Sequence, residues 1–516
     1  MGLTSALEPL EAVARPSYRR ARPERRTRRT SLEGIRFAGF IGAIVAAFAL
    51  GGSSRSDMGS MMLLVPLFAL ALPVAIVLVD REAARANRMI VVYFAVTTAL
   101  VAAHLVSLPP SLWTALPGRE LIAAIDAEAG LEGLWRPLSM DPQATWRALL
   151  SLVVPLAVLA FALGQSSQRM AQATLVLLGV GLAGAILALL QVAGDPEGPL
   201  YLYRLTNNGA AVGLFANRNH HAVFLAALVP LLAAYVSHAL ADRDISTARA
   251  RSVAGLGAGV AVIFAGSVVL AGSRAGLVCL VLALPLGLLV LGPRAAGAAF
   301  ARSRGSRSRS SKASLPLARL AMLALALPLV ALLGLAGLRG EATQRLVETG
   351  FTDELRFQIT PTVAKMALDY APMGTGIGSF ETAFKSAEPP EFLGPQYINH
   401  AHNDWLEIAM TAGLPGVVLL SFALGWLGLT AWRLARMRGD ASTRRPFRLA
   451  AASGLFLLAC ASLADYPLRT PALQAFAVVL IVWLAASIQS RHGLARSMNG
   501  ASRSHRPNTY PTTNEA

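Results

Sequence analysis

Apolar runs of about twenty residues, nearly free of charge, recur along this 516-residue chain and restrict its fold more than any other feature. Such a run coiled as a helix spans roughly 30 Å, the thickness of a bilayer's hydrocarbon core. A soluble chain of this length would spread its charges over the skin of two or more domains. Here only 15% of residues are charged, 54% are hydrophobic, and the charges are bunched between the runs. The reading is an all-α, polytopic integral membrane protein with about 12 transmembrane helices. The expected spans are 34–51, 60–79, 89–108, 147–164, 171–193, 222–241, 253–272, 275–292, 315–338, 408–431, 447–466 and 471–488. Cys279 and Cys460 both lie inside apolar runs, which argues against a disulfide framework or a thiolate metal site.

Orientation follows from the basic residues. With the N-terminus inside, cytoplasmic segments and their membrane edges hold 33 of the 46 Lys and Arg, and the opposite side holds the other 13. This is the positive-inside bias, and it puts both termini in the cytoplasm. The expected organisation is a basic tail over 1–33, a transmembrane domain over 34–488 and a disordered tail over 489–516. The basic cluster Arg19 to Arg29 precedes an apolar run without a small-residue cleavage site, so a cleaved signal peptide is not expected. The net charge of +17 is then a topology determinant. Stretches such as 301–312 match RNA or anionic headgroups in composition, yet they sit where the topology rule puts them, so membrane lipids rather than nucleic acid are the expected partners.

Three outer segments are substantial: 109–146, 194–221 and 339–405, the last being a large loop between the ninth and tenth spans. Long ordered loops between spans are uncommon unless they carry function. Of the ionisable residues, His104 alone is expected well inside a span, which tells against an ion-coupled transporter.

Polar residues gather in four outer blocks. The first is Gly213-Leu-Phe-Ala-Asn-Arg-Asn-His-His-Ala222, and the second the short turn Gly272-Ser-Arg-Ala-Gly276. The third is Asp353-Glu-Leu-Arg356 with Tyr370-Ala-Pro-Met-Gly-Thr-Gly-Ile-Gly-Ser-Phe380. The fourth is Asn399-His-Ala-His-Asn-Asp-Trp-Leu-Glu407. Arg274, held between two helix ends, reads either as a snorkelling arginine or as a guanidinium fork for phosphate. Arg218 lies between Asn217 and Asn219. The glycines at 374, 376 and 378 lack the strand-turn-helix context of a dinucleotide site and read as a flexible turn that lets backbone approach a substrate. Asp404 with Glu407 reads as an N-cap and capping box, which puts His402 just ahead of a helix start. The positive end of the helix disfavours imidazolium there and suits a proton acceptor. His400, His402 and Asp404 alternate as strand-borne metal ligands would, but no further ligand set accompanies them, and no metal or other cofactor is expected.

These blocks, in this order, resemble the O-antigen ligase and polymerase superfamily of bacterial inner-membrane proteins. The resemblance rests on Asn217-Arg-Asn219 with Gly213 and Phe215, on Ser273-Arg-Ala-Gly276, on Pro372 to Phe380, and on His402 followed by ten residues and Gly413. Leu138 to Trp146 also looks familial. The resemblance implies a metal-independent, inverting glycosyl transfer on the periplasmic face, from undecaprenyl diphosphate to an acceptor hydroxyl. Ligases use lipid A–core as acceptor and polymerases another lipid-linked repeat. Carried over by position, His402 is the catalytic base and Arg274 and Arg218 bind the diphosphate, with Asn217, Asn219, Arg356, His400 and Asn403 in support. The spans would supply a groove for the polyprenyl tail. One departure is Val278, where the ligase pattern has Leu four residues after the turn arginine. A solute transporter and an export scaffold are the rival classes.

Overall fold

Eleven of the expected apolar runs are helical in the computed structural model, which describes residues 23–55, 59–241, 245–301, 355–393, 397–437 and 444–485. The run at 315–338 lies outside the described residues, as does 339–354. In chain order the helices are α1 (Pro23–Leu50), α2 (Gly59–Leu78), α3 (Arg81–Ala86), α4 (Arg88–Ala103), α5 (Pro110–Trp113), α6 (Glu120–Glu128), α7 (Pro142–Ser151) and α8 (Val153–Ala162). They continue with α9 (Ser167–Ala193), α10 (Arg218–Leu240), α11 (Thr247–Leu270), α12 (Arg274–Ala301), α13 (Leu355–Asp369), α14 (Phe380–Lys385), α15 (Asp404–Arg436), α16 (Arg445–Ala461) and α17 (Pro471–Ala485). Among the described residues, eight helical stretches are long and apolar enough to cross a bilayer, and α4 and α17 are apolar but shorter. The chain is therefore an all-α polytopic membrane protein. Its only described strands, Ser107–Leu108 and Arg136–Pro137, pair antiparallel and pin the ends of one loop.

Short polar side chains start these helices by accepting backbone N–H groups that lack an intrahelical partner. Asp141 receives Ala144 N–H ahead of Pro142, Ser166 receives Arg169 N–H, Ser246 receives Arg249 N–H and Asn217 receives Asn219 N–H. The central helix is α10, two thirds buried, which packs on α9, α11, α12 and α16. A second layer joins α1, α2, α8 and α17. At one end of the bundle, Gly51 O accepts Ala472 N–H, Gly52 N–H donates to the Tyr203 hydroxyl and Gly52 O accepts Ala216 N–H. These bonds tie two helix-connecting segments and the first turn of α17 together, and the residues of the site lie at this end.

A smaller core sits on that end, separate from the bundle core. It joins Ile359, Val363 and Met366 of α13, Phe380 and Phe384 of α14, Ile398, Ala401 and Met410. Its anchor is a break in α15. Gly413 is non-helical (φ 58°, ψ −154°) and Pro415 has no N–H to donate, so Met410 O and Thr411 O lose their helical partners. Thr375 N–H and Gly376 N–H take their place at 3.0 and 2.9 Å, and Leu414 N–H turns to Pro372 O at 2.8 Å.

The glycine block is therefore not a flexible turn open to a substrate. Gly374, Gly376 and Gly378 all have positive φ, and each is pressed against protein: Thr411 and Gly413, Ser139, and Ala144 respectively. A side chain at Gly376 would put its Cβ 2.2 Å from Ser139 Oγ. The glycines are needed because three chain segments meet backbone to backbone. His104 is also corrected: α4 stops at Ala103, so the imidazole follows the helix end, fully buried, with Nε2 3.4 Å from Met373 O.

Candidate functional site

The loop 397–403 leads into α15, and its residues are held from three directions. Asn403, not Asp404, is the N-cap: its side-chain oxygen accepts Trp405 and Leu406 N–H at 3.1 Å. The expected cap is thus displaced by one residue and the capping box does not form, because tertiary partners claim both of its carboxylates. Asp404 is buried and accepts from Arg469 Nε at 2.9 Å and from the Ser462 hydroxyl at 3.3 Å. Glu407 turns back onto the loop, receiving Ala401 N–H at 2.9 Å and lying 3.1 Å from His400 Nδ1 and 3.3 Å from an Arg469 terminal nitrogen. A one-residue shift between two side chains that both cap well is beyond sequence pattern.

His402 precedes the cap with φ 51°, the one described non-glycine residue in the left-handed region. That backbone costs a non-glycine residue about 1–3 kcal/mol and persists where surroundings over-determine it. The surroundings here are the segment 462–470, which connects α16 to α17. Asp465 Oδ1 is 3.3 Å from His402 Nδ1, while its Oδ2 accepts from Asn219 Nδ2 at 2.6 Å. With Nδ1–H donating to that carboxylate, Nε2 is left as the acceptor nitrogen. The His402 side chain is 29% exposed, whereas Asp465 is 1% exposed. Burial alone would raise the Asp465 carboxyl; hydrogen bonds from His402 and Asn219 and the neighbouring imidazoles outweigh it and hold the group well below the usual carboxylate range.

Tyr466 packs the histidines. Its ring centroid lies 4.3 Å from that of His400, 5.0 Å from His402 and 5.2 Å from His220, and its hydroxyl bonds the side chains of Asn399 and Asn217. Burial pushes that phenol up. His220 is buried, with Nδ1 3.0 Å from the Thr470 hydroxyl. Burial would lower the Arg469 guanidinium, but Glu407 and Asp404 more than offset it and keep the cation charged.

The structure thus gathers Asn217, Asn219, His400 and His402 around one turn. Arg218 opens α10 between the two clustered asparagines, half-buried, with its N–H on Asn207 Oδ1 at 3.0 Å. Arg274 opens α12, half-buried, and Gly276 two residues onward packs against Ala222 of α10, so the two arginine-bearing helix starts adjoin. Asn403 is spent on its cap. Arg356 falls in the first turn of α13, and its side chain lies outside the described residues, as do Asp353 and Glu354.

Asp465, Tyr466, Arg469 and Thr470 were missed in the sequence. Asp465 was assigned to the span 447–466, whereas α16 ends at Ala461. A signal was present: an acid, an aromatic and a base within five residues, between two apolar runs.

Beside this cluster a groove of about 1130 Å³ opens between α2, α4, α7, α15, α16 and α17. Asn399, His400, Asp404 and Arg469 line its polar end. Its shaft includes Gly416, Leu419, Leu420, Ala423, Leu424 and Leu427, which recur at helical spacing along one stripe of α15.

A bundle of apolar helices bearing a hydrogen-bonded His–Asp cluster at one end, next to an apolar groove, defines a membrane protein able to bring lipid and polar chemistry together. Residues 259–421 match the family model described as O-antigen ligase, and the match supports placing the chain in the O-antigen ligase superfamily. The matched segment includes Arg274, His400, His402 and the Gly413 break, and leaves Arg218 and Asp465 outside. No curated protein matches the chain. The family implies a membrane enzyme that transfers glycans.

Proposed function

We propose that the protein transfers a glycan from undecaprenyl diphosphate to an acceptor hydroxyl on the periplasmic face of the bacterial inner membrane, with lipid A–core as the acceptor. His402 is the general base and Arg274 and Arg218 bind the leaving diphosphate. The observation that carries this reading is the posture of His402: left-handed backbone, Nδ1 fixed by a buried carboxylate, and a part-exposed ring tied through that carboxylate to Asn219, next to Arg218 at the start of α10. In the reaction, the acceptor oxygen attacks the anomeric carbon as its proton passes to His402 Nε2. The sugar–phosphate C–O bond breaks, and the lipid diphosphate leaves with the electron pair.

The developing charge requires cations, and a planar guanidinium can bind two phosphate oxygens at once. Each such charge-assisted bond is worth about 1.5–3 kcal/mol. The polyprenyl chain lies among the spans while the diphosphate stays at headgroup depth. Polymerisation onto another lipid-linked repeat uses the same chemistry and differs in the acceptor alone.

The test is transfer from a purified glycan–diphosphate lipid to acceptor by wild type and His402→Ala, with and without chelator. Loss of a general base lowers the rate by about 10²–10⁴-fold, and chelator should change nothing. Near-normal turnover by His402→Ala overturns the assignment, and chelator sensitivity would point to a metal instead. Gel analysis of glycolipids from a deletion strain separates the two acceptors: core-only lipopolysaccharide for a ligase, core with one repeat for a polymerase.

A further inference from the structure

The groove has a mouth lined by charged side chains that the proposed chemistry does not use. Arg55, Arg147, Asp141, Glu381 and Tyr397 line it beyond the His400 rim. The Tyr397 ring lies between two cations, with Arg55 and Lys385 each 5.4 Å from its centroid. The described carboxylates of the mouth are engaged. Glu381 pairs with Lys385 at 2.8 Å, Asp141 accepts Ala144 N–H and the Thr382 hydroxyl at 2.9 and 2.6 Å, and Asp404 and Glu407 hold Arg469. Arg147 is exposed and makes no hydrogen bond or ion pair among the described residues.

Two cations at the head of an apolar shaft match a lipid with a phosphorylated headgroup. The groove also stands apart from the arginines assigned to the donor. No described residue of α10 or α12, the helices that Arg218 and Arg274 begin, lines it. The loop 397–404 separates the two regions: Tyr397, Asn399, His400 and Asp404 face the groove, while His402 turns to Asp465, which in turn accepts from Asn219.

From this arrangement we infer that the groove is a second lipid site, in which Arg147 and Arg55 hold the phosphate of the lipid-anchored acceptor while its chain lies along α15. This rests on the reading that Arg274 and Arg218 bind the donor. His402 would then stand between two phosphate sites, and the loop that carries it forms one wall of the acceptor site. A chain in the groove brings its headgroup to the His400 rim, two residues from the base.

The test measures lipid binding in nanodiscs to wild type, Arg147→Gln, Arg274→Gln and His402→Ala. The probes are lipid A, its dephosphorylated form, undecaprenyl diphosphate and inorganic diphosphate. Lipid A should bind Arg147→Gln about tenfold more weakly and Arg274→Gln unchanged, since one charge-assisted contact is lost, whereas undecaprenyl diphosphate should weaken on Arg274→Gln. The dephosphorylated lipid should bind wild type about tenfold more weakly and ignore Arg147→Gln. Inorganic diphosphate should bind far more weakly than the lipids, because it leaves the shaft empty.

The inference fails if lipid A does not respond to Arg147→Gln, even where undecaprenyl diphosphate does. It fails equally if every lipid that responds to Arg147→Gln responds alike to Arg274→Gln, because that describes one site, or if inorganic diphosphate binds as tightly as the lipids. Binding by His402→Ala should stay normal. Normal transfer by that variant would sink the general base and leave the groove result standing.

Discussion

Replacing Asp465 with Asn tests whether the buried carboxylate acts through His402. The change is nearly isosteric, so the turn keeps its shape, but the amide offers one acceptor oxygen where the carboxylate offers two. Asp465 Oδ1 now accepts from His402 Nδ1 at 3.3 Å and from Tyr466 N–H at 3.0 Å, and Oδ2 accepts from Asn219 Nδ2 at 2.6 Å. The shorter bond to Asn219 will keep the amide oxygen, which points the new NH2 group at His402. An NH2 facing Nδ1 favours the tautomer with its proton on Nε2, the nitrogen that must accept from the acceptor hydroxyl. Tautomer inversion in a tightly bonded His–Asp pair costs about 10⁴ in rate. At 3.3 Å the coupling is looser, and a loss of about 10²–10³ is expected. Initial-rate transfer assays should show kcat falling by that factor, with KM for the donor within about twofold and a melting temperature close to wild type. A purely structural role would lower the melting temperature and leave the turnover of the folded fraction intact. If Asp465→Asn folds and turns over at the wild-type rate, the orienting role of Asp465 is wrong.

Two further outcomes follow from the geometry. Arg274→Lys keeps the charge and loses the fork, so transfer should fall about tenfold to a hundredfold; a snorkelling residue would tolerate the change, and the same transfer assay decides. Gly376→Ala should destabilise the small outer core by about 2 kcal/mol or more, because its φ of 108° and its contact with Ser139 both exclude a Cβ; an unchanged melting temperature would contradict this packing.

The helices were legible because a charge-free run of that length has few alternatives to a spanning helix. The ends of the runs were less so. The expected span 89–108 overshoots α4 by five residues, and 447–466 overshoots α16 by the same margin. In both places the backbone leaves the helix within sequence that still reads as apolar. His400, His402 and the asparagines could be singled out as a polar cluster beside an apolar run, but their partners could not. Asp465 follows His402 by 63 residues and Asn219 by 246, and no local periodicity reports such pairings. The glycine block was visible, but its purpose was not, since a glycine required for close packing and one required for flexibility look alike in sequence.

The break at Gly413 divides α15 into two lengths of helix with separate moorings. The part before it is fastened to the outer core through Met410, Thr411 and the glycine block, and the part after it runs on through apolar surroundings to Arg436. Spanning helices accommodate bilayers of different thickness by tilting or bending. A joint just below the His402 loop lets the lower length lean with the lipid while the loop keeps its register with Asp465. The same joint relieves that loop of any duty as a membrane anchor, so the thickness of the host bilayer and the alignment of His402 become independent variables.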